Sequence, residues 1–210
     1  MIFEWPFRAP FIPQQMGWGA QSQSLISESA LSGAIQTVGV PGKRWNVGLV
    51  LSARSFVNRS HAKEIEGFLD SLNGHQHRVT LFNMTCKGLN GYGTPSGTIN
   101  LDAVTVSANA AQFATSLVLA GCGAGATMMA GDMLKVNGML IMCQRDTVAN
   151  GSGVMTILVS NGLRKPVTSG MAVTLYRPTG TFVMASNAWE MNYTVGQVQP
   201  VGIDFTEVFE

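Results

Sequence analysis

The chain has 210 residues, with 13 basic and 12 acidic side chains for a net charge of +1. Only 12% of its residues are charged, about half the share in an ordinary soluble domain. That near-neutral balance excludes a polyelectrolyte partner such as nucleic acid or an acidic lipid surface as the main attraction. So few charges leave much surface that water solvates poorly, which points to burial against other copies or other proteins.

The N-terminal residues 1–19 hold Pro6, Pro10 and Pro13 among Trp5, Phe7, Phe11 and Trp18. Prolines at this density disfavour a helix or a central strand. The reading is an extended arm whose aromatic side chains pack on a neighbouring copy or back across their own domain. Met1–Pro6 lacks the basic head and apolar core of a secretory signal.

From Gln21 to Val38 the residues are short and polar, with Leu25, Leu31, Ile35 and Val38 interspersed, and Gly33 is placed to bend a hairpin. Pro41-Gly42 marks a turn. In Arg44–Ala53, Trp45, Val47, Leu49 and Leu51 recur with a period of two, which predicts a strand. A helix follows, capped by Asn58 or Ser60, with Ile65, Phe68, Leu69 and Leu72 on one stripe and a stop at Asn73-Gly74. His77–Met84 and Thr98–Val106 read as strands, with the glycine-rich Lys87–Gly97 as a loop between them.

After Ala108 the texture changes. Short apolar runs (Ser116–Ala120, Met133–Val136, Met139–Cys143, Val154–Val159 and Met171–Tyr176) alternate with turn pairs such as Gly131-Asp132, Asn137-Gly138, Asn150-Gly151 and Asn161-Gly162. That spacing predicts a compact all-β module. Pro178 and Gly180 mark a junction, and the tail offers up to three more strands at Phe182–Ala185, Trp189–Val195 and Val201–Val208.

No motif carries catalytic chemistry. Gly121-Cys122-Gly123-Ala124-Gly125-Ala126 resembles a dinucleotide loop, but no room for a helix follows before Gly131-Asp132, so a turn is the better reading. Pro41-Gly42-Lys43-Arg44 lacks the first glycine and the trailing hydroxyl of a phosphate loop. His75 and His77 would share one face of a strand without a third ligand nearby in sequence. Cys86, Cys122 and Cys143 are odd in number and widely spaced, which argues against a disulfide framework or a zinc knuckle and for free thiols. Residues 103–131 contain no charge, but polar and glycine residues break the run, so no membrane span is expected. The expected site inventory is therefore no catalytic, cofactor-binding or metal-binding residue, with Trp5, Phe7, Phe11 and Trp18 as interface candidates. No enzyme activity and no cofactor are expected.

Three groups of residues in order, Ser29-Ala30-Leu31-Ser32-Gly33, Pro41-Gly42-Lys43-Arg44-Trp45 and Ile65–Gly74, carry a family likeness. With Val79–Phe82, Ala130-Gly131-Asp132 and the closing Ile203–Phe209, the chain resembles distal tail or baseplate-type minor tail proteins of siphovirus-like phages and prophages of proteobacteria. The resemblance implies a virion protein assembled in the host cytoplasm. It would form a ring at the tail tip, by family resemblance a hexamer, contacting the tail tube, hub and fibre proteins. It implies no catalytic residues. The alternative reading is a tail-tip adaptor or carbohydrate-binding module contacting fibres or the host surface.

The expected fold is mainly β: a β-sandwich-like domain with one short helix plus a small β-barrel-like module. The expected boundaries are an arm over 1–19, a ring-forming domain over 20–112 plus 179–210, and an inserted module over 113–178. Two consecutive domains are the alternative.

Overall fold

A computed structural model describes residues 1–8, 10–29, 32–51, 59–84, 101, 103–160, 162–194 and 197–209. In chain order its elements begin with β1 (Ile2–Glu4), β2 (Pro13–Glu28), β3 (Ile35–Leu51), α1 (Arg59–Leu72) and β4 (Arg78–Phe82). Short strands follow: β5 (Thr105–Val106), β6 (Ser116–Ala120), β7 (Thr127–Met128), β8 (Met133–Val136), β9 (Met139–Met142), β10 (Thr147–Val148), β11 (Met155–Leu158) and β12 (Val173–Thr174). The chain closes with β13 (Thr179–Met184), β14 (Tyr193–Thr194), β15 (Gln197–Val198) and β16 (Val201–Glu207). The fold is mainly β with one helix among the described residues.

The chain forms two compact units: residues 1–20, 44–81 and 180–210, and residues 21–43 with 82–179. The sequence boundaries of 1–19, 20–112 with 179–210, and 113–178 differ from these in three respects. The N-terminal residues belong to the first unit, residues 21–43 group with the second unit, and the second unit's main stretch starts near Phe82 rather than at Phe113.

The first unit is built on a six-stranded sheet in the order β1-β4-β13-β16-β3-β2. The unit also contains the two-stranded pair β14-β15 and the helix α1, in keeping with a mainly β fold with one short helix. In β16, Val201, Ile203, Phe205 and Glu207 are buried and Gly202 and Asp204 are exposed, the period of two that a half-buried strand demands. Trp45, Val47, Leu49 and Leu51 repeat that pattern on β3, which pairs antiparallel with β16 from Asn46 to Leu51. On α1, Ala62, Ile65, Leu69 and Leu72 are buried at helical spacing, one apolar stripe that stabilises an otherwise short helix. Asn73 and Gly74 both take positive φ where the helix ends, as anticipated. Asn58 lies outside the described residues, and Ser60 falls inside α1 rather than before it.

In the second unit β5, β6 and β11 form one small sheet, β8, β9 and β12 another, and β7 pairs with β10. No barrel closes among the described residues. The strands share one core that includes Val106, Leu117, Leu119, Met128, Leu134, Ile141, Ile157 and Leu175. The β8–β9 hairpin turns on Asn137 and Gly138, both at positive φ, which only such a pair takes at low cost. The predicted run Trp189–Val195 forms strand only at Tyr193–Thr194 among its described residues. The predicted loop Lys87–Gly97 and the start of the predicted strand Thr98–Val106 lie outside the described residues.

Candidate assembly interface

The aromatic residues of the N-terminal segment are sorted by burial. Trp5 is buried, with its ring edge-on to Phe68 at 5.4 Å and to Phe11 and Phe205 at 5.8 Å. Its indole N–H donates to the Phe11 carbonyl at 3.1 Å. Phe11 is buried against Phe68 at 5.3 Å. Both side chains therefore serve the core of their own unit. β1 fixes the segment by pairing parallel with β4, Ile2 opposite Arg78 and Glu4 opposite Thr80. Phe7 is half-buried. Trp18, also half-buried, stacks near Trp45 at 6.1 Å and Phe182 at 5.6 Å.

An uncovered apolar feature lies elsewhere, at the far ends of β2 and β3. The Ser29 N–H donates to the Ala34 carbonyl and the Gly33 N–H to the Ser29 carbonyl, both at 2.9 Å, with Gly33 at positive φ. From Gly33 to Gly39 every described side chain is exposed, and the same holds on β2 from Gly19 to Glu28. Leu25 and Ile26 are each 70% exposed, and Ile35 and Val38 are exposed as well.

Leu25 and Ile26 are adjacent on one strand, so they point to opposite faces. Among the described residues, no second layer covers either side chain. This ribbon also has two open edges. β2 is the terminal strand of its sheet, and β16 pairs with β3 only from Asn46 onward. Among the described residues no strand pairs with the outer side of Ile35–Gly39. Glu28 is the one ionisable side chain between Gln21 and Val38, and the edge-guarding Pro41 and Lys43 come only further along β3. The sequence reading noted Leu25, Ile35 and Val38 but did not single them out. The available signal was the doublet Leu25-Ile26 in a polar run, which no single buried face can absorb.

No group of three or more His, Cys, Asp or Glu residues suited to a metal occurs among the described residues. The His77 ring packs on Phe3 at 5.8 Å, and the His75 backbone N–H donates to Asn187. Gly121 sits at positive φ in a turn, and a side chain there would meet the Ala103 carbonyl oxygen at 2.6 Å, so the glycine serves close packing. Cys122 and Cys143 are buried free thiols, and burial pushes Cys122 up to about 11, which keeps it protonated and unreactive. Cys86 lies outside the described residues. No helix is long and apolar enough to cross a membrane among the described residues. No protein-family model matches the chain, and no curated protein matches it.

Proposed function

We propose that this chain is a structural protein that associates with copies of itself into a closed ring, and that the ring belongs to the tip of a phage tail. In this reading it joins the tail tube to the hub and to receptor-binding fibres, is assembled in the host cytoplasm and carries no catalytic activity or cofactor. The supporting observation is the ribbon: two strands with apolar side chains on both faces and an open backbone edge on either side. An isolated two-stranded ribbon is marginal in water. Strands added to its edges satisfy the open N–H and C=O groups and cover Leu25, Ile26, Ile35 and Val38. The two edges differ, one from β2 and one from β3, so pairing of unlike edges is head-to-tail and closes into a ring when the rotation permits. The scarcity of charge and the likeness to tail-tip proteins support the same reading.

The test is light scattering on the full chain against a Leu25→Ser/Ile26→Ser variant. The parent is expected as a defined ring and the variant as a folded monomer. A parent that stays monomeric at every concentration overturns self-assembly, and a variant that assembles like the parent removes the ribbon from the interface.

A further inference from the structure

Among the described residues of the second unit, the buried carboxylate is Asp132, whose surroundings do not suit a charge. It is 1% exposed. It follows Gly131 in the turn that joins β7 to β8. Its Oδ2 accepts the Met129 N–H at 2.8 Å, and its own N–H donates to the Met129 carbonyl at 3.1 Å, which closes the turn on itself. Two further bonds tie the turn to the end of β9: the Gly131 N–H donates to the Cys143 carbonyl at 2.9 Å, and the Cys143 N–H to the Asp132 carbonyl at 2.8 Å. A second carboxylate braces the same turn, since Asp146 Oδ1 accepts the Ala130 N–H at 2.8 Å. The other Asp132 oxygen, Oδ1, is buried without a hydrogen-bond partner among the described residues.

An ionised carboxylate removed from water is costly unless both oxygens are paired. Here one oxygen is paired, the other is not, and the titratable groups facing the site are Asp146 and the Cys143 thiol. Asp146 repels an Asp132 anion. The thiol is itself held protonated by burial and donates to the Arg145 carbonyl, so it offers no positive charge. A neutral acid fits this pocket better than an anion does.

We propose that Asp132 is a proton-binding site that couples closure of the Met129–Asp132 turn to pH, with the closed turn holding the neutral acid and ionisation favouring the open, solvated turn. The pH window follows from the acid's displacement. Burial first, and the Asp146 charge to a lesser degree, raise Asp132 from the ordinary 3.8 to about 6, against the opposing pull of the Met129 N–H. Between those values the closed state keeps a proton that the open chain has released. Closure is therefore strongest below about pH 4, weakens as pH rises and loses this contribution above about pH 6. The inference is independent of the assembly reading, because it concerns a turn within one unit.

The experiment is amide hydrogen exchange on the full chain from pH 4.5 to 7.5, corrected for the intrinsic exchange rate, on the parent and on Asp132→Asn and Asp146→Asn. In the parent, protection of the Gly131 and Cys143 amides is expected to fall by ~30-fold as pH rises from 4.5 to 7.5. Asp132→Asn should remove that slope, and Asp146→Asn should move it to lower pH. Carbon-detected titration of the Asp132 carboxyl in the parent decides the matter even if the Asn variant fails to fold. A midpoint near 6 supports the site. A midpoint near 4, or the same slope in Asp132→Asn as in the parent, overturns it.

Discussion

The hairpin of β2 and β3 presents two regions made of the same two strands with opposite fates. Toward its base, Trp45, Val47, Leu49 and Leu51 are buried and β16 pairs alongside. Toward its tip, Ile35 and Val38 lie in water on the same strand, and no neighbouring strand or layer covers them among the described residues. Strand propensity does not separate these halves, since valine serves in both, Val38 at the tip and Val47 at the base. What separates them is what lies beside them. A β-strand is stabilised by its pairing and its covered face, and the tip of this hairpin has one partner strand where the base has two.

The sharpest test of that contrast is Leu49→Ala. It removes a fully buried side chain from the base and should cost ~2–5 kcal/mol, read by urea denaturation. A cost below about 1 kcal/mol would mean that the base is not the load on which the sheet depends. Next comes Glu207→Ala. The buried Glu207 carboxylate accepts the Trp45 N–H at 3.1 Å, and removing it leaves a buried donor without that acceptor, for an expected loss of ~1–3 kcal/mol. Glu207→Gln should recover most of it. The smallest effect on the monomer belongs to the tip: Val38→Ala should change unfolding by no more than ~0.5 kcal/mol while weakening self-association. A large loss of monomer stability there would show that the tip is covered within a single chain, and the contrast between the halves would collapse.

Local chemistry was readable in advance. The α1 stripe of Ile65, Leu69 and Leu72, the alternation through Trp45–Leu51, the bend at Gly33 and the turn at Asn137-Gly138 each depend on a few neighbouring residues. What was not readable is which surface a segment meets. Trp5 and Phe11 advertise burial but not whose core they enter. Phe68 and Phe205, far along the chain, supply that answer. Trp189, Met191 and Tyr193 alternate like a strand, yet only Tyr193–Thr194 finds a partner, in β15. The second unit begins before the change of texture near Ala108, because the alternating Val104 and Val106 suit either unit. Pairing of Thr105–Val106 with β6 decides it. Asp132 gave a turn signal in sequence, but its burial and its bare oxygen depend on Cys143 and Asp146.

The strand order of the first unit bears on how the protein is made. Its two central strands, β13 and β16, are encoded last, after the whole of residues 82–179. On a ribosome, β1 to β4 and α1 emerge without the strands that belong between them. Most of the second unit is continuous in sequence and can mature while the first waits. The usual order, in which N-terminal structure completes first, is reversed here. During that interval the aromatic side chains of Trp5, Phe11 and Phe68 have no Phe205 to close over them, and the nascent chain is then most exposed to aggregation and to chaperone capture.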